Sequence, residues 1–575
     1  MDDAKGISYT PKARFIIVGF HDPDVMNYES SAPMPNQFTI NVFLVAASCL
    51  GYEVEQGDFE AVFAECKPIS RLLYLTAPKD GGFPDIEPGQ LLRLDKELYG
   101  TIFAPAHWRA SLTDDLKIMN YEESMLDPCL YLLRSREARE KIYEANQTRN
   151  VKKCPYVDSE WLMGNAVGDQ GDLFAPVLGL LLIEVDDLFS AGSEIHQSRM
   201  AELQKKYKMG RWTSTRRVGG GVFAGRRVEQ TENMGFTISM KEYILDKLKP
   251  VKIDKARRKD IEAPLIDKEK GALKAVLGSL QWVQRQCRPD VTGPTSLMSG
   301  RQTTATVADL LEADKVISHL QKTPARGIIY TPVEPRDAHI FVVQDGSLHN
   351  VDKVYSQGAL AIAIADKNLA AGKRGVLNLV AWRSGKINRV VNSSLDAESK
   401  SMAAALRCAE WTHKLFAEAT NSLFPLLSYS QLADDWNGSS PERPLPELTL
   451  RGVCIIKDTL EQQLQQVLAI TDAKSLYDLL KSDLGRGKDW AVAATCAEVK
   501  QLLTVLRAGV RWVPHNEMIV DPLTKVFGKS NIAPLLEVMD TGRYKLRSVN
   551  TEMNYRKQLK ERGGKVQRLR GSSAY

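Results

Sequence analysis

Two adjacent acids lie in an apolar stretch of this chain and could bind a cation. Residues 180–191 read LLLIEVDDLFSA, so Asp186 and Asp187 follow a run of aliphatic residues and precede a second apolar pair. The short apolar flanks predict a β-hairpin with the acids at its tip. Because side chains alternate along a strand, we expect the two carboxylates to point to different sides. An acidic surface turn is the alternative interpretation, since acids are common in turns.

A second set of acids is spread over the last part of the chain, where each lies at the edge of a predicted element. Asp345 ends a strand predicted over residues 339–344, and Asp472 follows a short apolar strand. Glu398 shares a helical stripe with apolar residues, so we expect it to face inward, which is unusual for an acid without a partner. Asp521 precedes a proline, as is typical of a helix N-cap. Each acid by itself could be an ordinary turn or cap residue.

The composition is that of a multidomain intracellular protein. The chain has 575 residues, of which 43% are apolar, and a chain of this length is expected to form about two to four domains. Its net charge of +5 arises from 76 basic and 71 acidic residues and is only weak evidence for a polyanionic partner. The eight cysteines form no CxxC pair, which favours reduced thiols over a zinc or disulfide framework.

The sequence shows no signal for export or membrane insertion. No stretch approaches the roughly 18 apolar residues of a transmembrane helix, so we expect no membrane partner. The N-terminus, MDDAK, has no hydrophobic signal region. We therefore expect a cytoplasmic or nuclear protein that is not secreted. Residues 546–575 are rich in Lys and Arg and predict a disordered basic tail that could contact nucleic acid.

Helical and strand patterns both occur along the chain, and the helices and strands that they predict must position these acids. Residues 12–20 form a predicted strand entered by two cations, and residues 262–320 have a helical pattern throughout. Strand patterns resume near Asp337, where a new domain is predicted to start. The mixture of segments predicts an α/β (α+β) protein.

An ordered set of short motifs extends from about residue 12 to about residue 530. The motifs are Lys12-Ala-Arg with Gly19-Phe20, Asp58 with Phe63, Leu98-Tyr99-Gly100 with Ala104-Pro105 and Trp108, Val185-Asp186-Asp187, Gly278-Ser279-Leu280, Arg288-Pro289-Asp290, Trp382-Arg383-Ser384, Ser393-Ser394 with Ala397-Glu398, and Asp521 with Leu523-Thr524-Lys525. Each motif is weak alone, whereas their common order is specific. In this order the motifs resemble the Pol polyprotein of copia-type LTR retrotransposons, over its reverse transcriptase and RNase H portions.

The resemblance implies a sequence of domains. Residues 1–250 would form a polymerase palm and fingers, with an N-terminus shorter than the family's. Residues 251–333 would form a helical thumb and connection. Residues 334–545 would form an RNase H-like domain with a mixed sheet, followed by the basic tail.

In the first of these domains, the resemblance implies a polymerase site. Asp58 and Asp186 would be the chief metal ligands, with Asp187 beside them. Phe63 would be the steric gate that excludes the ribose 2′-hydroxyl of an incoming nucleotide, although a core phenylalanine is the alternative. Arg14 would contact the nucleotide triphosphate, although a solvated strand charge is equally ordinary.

In the RNase H-like domain, the resemblance implies a nuclease site. Asp345, Glu398, Asp472 and Asp521 occupy the places of the metal-binding tetrad. His515 could assist product release or proton transfer, although a loop histidine is usually just solvated. Both sites would use Mg²⁺, two ions in each, with Mn²⁺ possible, since clustered carboxylates need a cation and present hard oxygen ligands.

Because the chain departs from the family pattern in three ways, a resemblance to the family does not by itself imply that the protein is catalytically active. Glu184 stands where the family has tyrosine, Phe103 replaces a polar residue, and the fingers are expected to be incomplete. The first hypothesis is an RNA-directed DNA polymerase with RNase H activity, whose partners are an RNA template, a DNA primer, dNTPs and an RNA–DNA hybrid. The second is a catalytically degenerate remnant that acts as a nucleic-acid-binding or scaffold protein. The sequence leaves the oligomeric state open.

Overall fold

The computed structural model describes residues 16–22, 24–25, 30–77, 85–139, 174–351, 355–424, 467–482 and 490–546. Arg14 and all but the first residue of the basic tail lie outside the described residues. The described chain forms two compact units, each built from several chain segments. The first unit comprises Met1–Asn36, Glu55–Leu133 and Leu178–Thr213, and the second comprises Gln37–Val54, Arg134–Val177 and Ser214–Tyr575. The domain boundaries implied by the resemblance remain predictions.

The first unit is built on a six-stranded sheet with strand order β4-β5-β6-β7-β1-β8, and on a separate antiparallel pair, β2-β3. Its strands are β1 (Val54–Phe59), β2 (Leu73–Thr76), β3 (Leu91–Leu94), β4 (Tyr121–Glu123), β5 (Leu130–Leu133), β6 (Gly179–Glu184), β7 (Asp187–Gly192) and β8 (Met209–Ser214). Its helices are α2 (Val62–Glu65), α3 (Ala104–Ile118) and α4 (Glu194–Lys206).

An aromatic cluster fixes the strand that carries Asp58. The ring of Phe59 lies edge-on to Trp108 of α3, with centroids 5.2 Å apart, and Trp108 lies edge-on to Tyr207 at 5.3 Å. All three rings are buried, and such edge-to-face pairs add about 0.5–1.5 kcal/mol each to the burial of apolar area. Helix α3 and the chain after α4 are thereby anchored to β1.

The second unit contains a mixed six-stranded sheet with strand order β17-β16-β13-β14-β15-β18 and an antiparallel sheet with order β12-β11-β10-β9. Its strands are β9 (Gly221–Phe223), β10 (Arg226–Gln230), β11 (Phe236–Ser239), β12 (Ile328–Tyr330), β13 (His339–Val351), β14 (Tyr355–Ala365), β15 (Arg374–Lys386), β16 (Val467–Thr471), β17 (Gly509–Trp512) and β18 (Arg543–Lys545).

Helices cover the mixed sheet and form a separate helical segment within the same unit. They are α1 (Gln37–Cys49), α5 (Lys241–Lys247), α6 (Asp267–Gln286), α7 (Thr292–Gly300), α8 (Val307–Lys322), α9 (Lys367–Ala370), α10 (Ser394–Thr420), α11 (Lys474–Lys481), α12 (Trp490–Val505) and α13 (Ala533–Thr541). Helix α10 packs on β13 and β14, and α12 packs on α10. The mixed α/β class expected from the sequence is confirmed at this level, whereas its palm and fingers remain predictions.

Two local expectations were wrong. Asp345 lies inside β13 instead of at its end, because pairing with β14 continues past it to Ser347 and Gln357. Asp521 is the first residue of a 3-10 turn, Asp521–Thr524, with Val520 as the N-cap. Among the described residues, no helix has the length and apolar character needed to cross a bilayer.

Candidate active sites

Three carboxylates of the second unit converge at one point of the mixed sheet. Asp345 lies on β13, Glu398 on α10 and Asp472 directly after β16, and each offers a carboxylate oxygen within 4.8 Å of the other two. Strands β13 and β16 are parallel neighbours, and Val343 pairs with Ile470. Two residues further along each strand, the same register places Asp345 level with Asp472. The convergence therefore follows from strand pairing.

A glycine allows helix α10 to bring Glu398 to the two strand acids. A Cβ atom at Gly346 would lie 2.6 Å from the backbone carbon of Ala397 and 2.7 Å from the nitrogen of Glu398. Any other residue at 346 would push the helix away from the strand, because real Cβ contacts are never this short. Glycine next to Asp345 is thus a requirement of the site's geometry.

Burial and mutual repulsion raise the pKa values of two of these acids. Asp345 and Glu398 are buried, with 4% and 8% of their surfaces exposed. Desolvation raises the pKa of Asp345, and the neighbouring Asp472 adds to this, while Lys525 opposes it. Desolvation, followed by the charges of Asp345 and Asp472, raises the pKa of Glu398 well above its usual range. A cation at this point would offset the cost of ionising the cluster.

Asp521 and His515 join the cluster through ion pairs. His515 Nδ1 lies 2.7 Å from Asp472 Oδ2, and its Nε2 lies 3.5 Å from Asp521 Oδ1. The hydrogen bond with Asp472 raises the pKa of His515, and the charge of Asp521 adds to this. Asp521 itself is 3% exposed, whereas the His515 side chain is 67% exposed. The structure therefore brings all five residues proposed from the sequence for this domain to one place.

Three further residues hold the carboxylates, and no sequence pattern singled them out for this role. The Gln344 amide donates hydrogen bonds to Glu398 Oε2 and to Thr471 Oγ1, both at 3.1 Å. The Thr524 hydroxyl donates to Asp345. Lys525 Nζ lies 3.7 Å from one carboxylate oxygen of Asp345 and from one of Asp521. The signal that could have found Lys525 is its spacing of four residues, one helical turn, from Asp521.

The donor set fits a divalent, oxygen-seeking cation. Asp345, Glu398 and Asp472 supply carboxylate oxygens only, and their spacing allows one ion to contact all three. Magnesium and manganese prefer such hard oxygen ligands, whereas zinc sites are usually built from His and Cys. The residues present therefore fit the Mg²⁺ expected from the sequence.

The acids of the first unit lie on neighbouring elements of its sheet. Asp58 is on β1 and Asp187 starts β7, while Asp186 is in the two-residue turn between β6 and β7. The Phe59 amide donates to the Asp186 carbonyl at 2.8 Å, which ties β1 to this turn. Burial raises the pKa of Asp187 to about 6, and the charges of Asp186, Asp58 and Glu184 add to this. Within the described residues, these acids do not form a group of three as close as that of the second unit.

The turn that carries Asp186 is strained. Val185 has a φ of 57°, and a β-branched residue in the left-handed region is a genuine outlier. The Trp108 indole donates a hydrogen bond of 2.8 Å to the Val185 carbonyl. Helix α3 thus holds a backbone conformation that costs on the order of 1–3 kcal/mol.

Phe63 and Phe103 both pack in the first unit. Phe63 is half-buried on α2, and its ring lies edge-on to Tyr99 with centroids 5.0 Å apart. Phe103 is 7% exposed at the start of α3, and the Arg71 guanidinium carbon lies 5.0 Å from its ring centroid. This packing is compatible with a core role for Phe63 as well as with a nucleotide gate, and the gate remains a prediction.

The chain is similar to curated retrotransposon proteins. It is 21% identical over 423 residues to the retrovirus-related Pol polyprotein from transposon RE1 of Arabidopsis thaliana and 23% identical over 421 residues to that from transposon RE2. Each match covers 71% of this chain and 25% of the polyprotein, so the chain spans about a quarter of those relatives. The Pol polyprotein from transposon TNT 1-94 of Nicotiana tabacum is 29% identical over 137 residues, covering 24% of this chain and 10% of that protein.

Comparison with family models and solved structures adds two findings. No family model matches the chain. A foamy viral protease–reverse transcriptase in complex with dsDNA is 11% identical, with 80% of this chain and 68% of that chain covered and a TM-score of 0.16. The native prototype foamy virus protein is also 11% identical, with 87% and 68% covered and a TM-score of 0.18. The curated relatives confirm the resemblance found in the motifs: this chain is a homologue of the Pol polyproteins of copia-type retrotransposons.

Proposed function

We propose that the second unit is a divalent-metal-dependent ribonuclease H, which cleaves the RNA strand of an RNA–DNA hybrid during reverse transcription. The observation that carries this proposal is the group formed by the buried Asp345 and Glu398 and the partly buried Asp472, whose ligand oxygens lie within 4.8 Å of one another. Homology to Pol polyproteins, which supports a role related to reverse transcription, favours a nucleic-acid substrate.

Each residue of the cluster has a part in this reaction. Asp345, Glu398 and Asp472 would hold Mg²⁺, and bound Mg²⁺ would polarise the phosphodiester and lower the pKa of an attacking water. Gln344 fixes the orientation of Glu398 through its hydrogen bond. His515 is exposed and hydrogen-bonded to Asp472, so it can give a proton to the departing oxygen or release it to solvent.

The test is cleavage of an RNA–DNA hybrid by the full chain with Mg²⁺. We expect Asp345→Asn to slow cleavage by on the order of a hundredfold to a thousandfold, as when charge stabilisation of a transition state is removed. Asp267→Asn is the matched control, because this carboxylate of the same unit is 99% exposed. A wild-type chain that binds the hybrid but does not cleave it would favour the degenerate, nucleic-acid-binding alternative.

A second activity, RNA-directed DNA polymerase, is proposed for the first unit. It is favoured by the position of Asp58, Asp186 and Asp187 on neighbouring elements and by their joint effect on the pKa of Asp187. Asp58 and Asp186 would hold Mg²⁺, with an RNA template, a DNA primer and dNTPs as substrates. Glu184 adds a further negative charge at this place.

Primer extension on an RNA template with Mg²⁺ tests this second activity. Extension by the wild type that is lost in Asp186→Asn would support a polymerase and make Glu184 a tolerated variation. Extension only in Glu184→Tyr would identify Glu184 as the cause of inactivity. No extension in any of the three proteins would count against the polymerase proposal and leave the ribonuclease proposal unaffected.

A further inference from the structure

A hydrogen-bonded network centred on one buried amide contacts the turn Asp521–Thr524. Gln357 on β14 is 1% exposed, and its Nε2 donates to the Ser296 hydroxyl of α7 and to the Ser384 hydroxyl of β15, both at 2.8 Å. The Ser384 hydroxyl donates in turn to the carbonyl oxygen of Leu523. One amide group thus connects a helix and two strands of the second unit to the turn.

The direction of each hydrogen bond in this network is fixed by its donors. The amide nitrogen of Gln357 can only donate, so both serine hydroxyls accept from it. Each hydroxyl then donates its own proton, Ser296 to the Ser384 carbonyl at 3.1 Å and Ser384 to the Leu523 carbonyl. Buried hydrogen bonds in such a chain polarise and strengthen one another. The network therefore holds the Leu523 carbonyl in one position.

The turn and the residue after it carry three side chains of the proposed nuclease site. The Thr524 hydroxyl donates to Asp345, and Lys525 Nζ lies 3.7 Å from one carboxylate oxygen of Asp345 and from one of Asp521. Thr524 is fully buried, and Asp521 is 3% exposed. Leu523, whose carbonyl ends the network, lies between these two residues in the chain. A shift of this carbonyl would therefore move Asp521 and Thr524 relative to Asp345.

Helix α7 supports the same turn through its backbone. A Cβ atom at Gly293 would collide with the Pro522 carbonyl oxygen and lie 2.9 Å from the Leu523 carbonyl oxygen. Because a Cβ atom does not fit in this space, only glycine lets the helix approach the turn so closely. Leu523 is thus contacted both by the Ser384 hydroxyl and by the backbone of α7.

We propose that Gln357, Ser384 and Gly293 are positioning residues of the nuclease site, which set the place of Asp521 and Thr524 and thereby the affinity of the site for its divalent metal ion. The inference rests on the proposed function, because it takes the carboxylates as metal ligands. It adds that α7, which precedes every acid of the site in the sequence, is part of the nuclease. Replacement of residues that orient metal ligands typically changes metal affinity or activity ten-fold to a hundredfold.

The first experiment measures the binding of Mn²⁺ alone by calorimetry, so that it does not require cleavage. The full chain carries Asp58→Asn and Asp186→Asn, which remove the two acids proposed to hold metal in the first unit. Mn²⁺ prefers the same hard oxygen ligands as Mg²⁺. In this background we expect Ser384→Ala to weaken Mn²⁺ binding about tenfold, whereas Ser384→Thr, which keeps the hydroxyl, should restore it.

Asn378→Ala is the matched control for a general loss of stability. Asn378 is fully buried on the same strand as Ser384, and its amide makes two hydrogen bonds of 2.8 Å with the backbone of Thr331. It thus removes buried hydrogen bonds from β15 without touching the network. We expect this variant to lower the melting temperature and to leave the affinity for Mn²⁺ unchanged.

Gly293→Ala tests the support by α7 without removing any side-chain hydrogen bond. The added methyl group would displace the turn, so Mn²⁺ should again bind about tenfold more weakly. Gly271→Ala on α6 is the matched control, because a Cβ atom at Gly271 would meet no atom within 4 Å. Alanine also favours a helix over glycine, so this control should lower neither the stability nor the affinity for Mn²⁺.

Hybrid cleavage by the same variants distinguishes this proposal from the nuclease proposal. Ser384→Ala should need about tenfold more Mg²⁺ than the unaltered site for half-maximal cleavage. Lower melting temperatures in Ser384→Ala and Gly293→Ala with unchanged Mn²⁺ affinity would show a structural role alone and overturn the proposal, as would a failure of Ser384→Thr to restore binding. Weaker Mn²⁺ binding in the variants of a chain that never cleaves the hybrid would support the positioning role and count against the nuclease alone. A chain that binds no Mn²⁺ would overturn both.

Discussion

At the residue scale, the proposed nuclease site contains a positively charged side chain, that of Lys525. Lys525 Nζ lies 3.7 Å from both Asp345 and Asp521, and its charge lowers the pKa of each acid, against the larger effect of burial. In the absence of metal, this ammonium group offsets part of the repulsion in the cluster. Lys525 and a bound divalent ion would therefore act on the same negative charge.

Lys525→Met tests this relation. We expect the metal-free variant to be less stable by about 1–3 kcal/mol, because two buried carboxylates lose a partner. Mg²⁺ should raise its melting temperature more than that of the wild type, because no internal cation competes with the ion. Melting temperatures with and without Mg²⁺ measure both effects, with Lys525→Arg as the control that keeps the charge. An equal Mg²⁺ shift in wild type and Lys525→Met would contradict the expectation.

At the element scale, the hairpin β6–β7 depends on helix α3. The left-handed Val185 is held by the Trp108 indole, whose ring is also part of the buried aromatic cluster. Trp108→Phe keeps most of the apolar area and removes the hydrogen-bond donor. We expect a decrease of about 1–2 kcal/mol in stability, measured by denaturant unfolding.

The double variant Trp108→Phe with Val185→Gly provides the control. Glycine adopts a positive φ without strain, so it should recover part of the stability that Trp108→Phe removes. If glycine gave no recovery, the strain at Val185 would not be what the indole opposes.

A second element, helix α4, packs a buried histidine, His196, against the same hairpin. His196 Nδ1 lies 2.7 Å from the Tyr121 hydroxyl, and Nε2 lies 2.8 Å from the Ser190 hydroxyl. Gly179 and Gly192 face each other across β6 and β7, and a Cβ atom at either would lie within 2.6 Å of an atom of the His196 ring. The ring therefore occupies space that two glycines leave. Burial lowers the pKa of His196 to about 3.

This lowered pKa predicts acid sensitivity of the first unit. Between the unfolded value of about 6.5 and the folded value, the unfolded chain binds one more proton, so stability falls as pH decreases through this window. For this residue alone, we expect a decrease of about 2 kcal/mol between pH 7 and pH 5. Denaturant unfolding at both pH values should show a smaller pH effect in His196→Gln, with His21→Gln, an exposed histidine, as control. An unchanged pH effect in His196→Gln would argue against this assignment.

At the scale of the whole molecule, the helices within residues 251–333 contact the mixed sheet of the second unit. The Trp382 indole donates to the Gln284 carbonyl at 2.8 Å, and the Ser296 hydroxyl donates to the Ser384 carbonyl at 3.1 Å. A Cβ atom at Gly293 of α7 would lie 2.2 Å from the Pro522 carbonyl oxygen. The segment expected to be a thumb and connection thus packs directly on the turn that begins with Asp521.

A buried ion pair stabilises the helices within residues 251–333. Arg288 and Asp290 are buried and share two hydrogen bonds of 2.7 and 2.9 Å, and His319 Nε2 lies 2.8 Å from Asp290. Although burial opposes it, the Arg288 charge and these hydrogen bonds lower the pKa of Asp290. We expect Asp290→Asn to cost about 3–5 kcal/mol, since it leaves a buried guanidinium without its counter-charge.

Asp540→Asn is the matched control for this prediction. Asp540 pairs with Arg326 at the surface, where such pairs contribute about 0–1 kcal/mol. Unfolding free energies of the two variants, measured under the same conditions, test the difference. Equal small decreases would show that the Arg288–Asp290 pair is not needed for the stability of the unit.

Local sequence patterns are sufficient for the class of fold, the family and the candidate acids. Asp472 after an apolar strand and Glu398 on an apolar helical stripe are both recognisable because strand and helix periodicities are local properties. The common order of many short motifs carries the homology. Arg14 lies outside the described residues, and Phe63 fits two roles because a half-buried ring serves either.

Which residues act together depends on tertiary contacts. The parallel register of β13 and β16, and a glycine that admits α10, bring Asp345, Glu398 and Asp472 within 4.8 Å of one another. Gln344 and Lys525 have a role only where these strands and helices meet. Register and close packing depend on contacts between distant segments, and local sequence patterns do not contain that information.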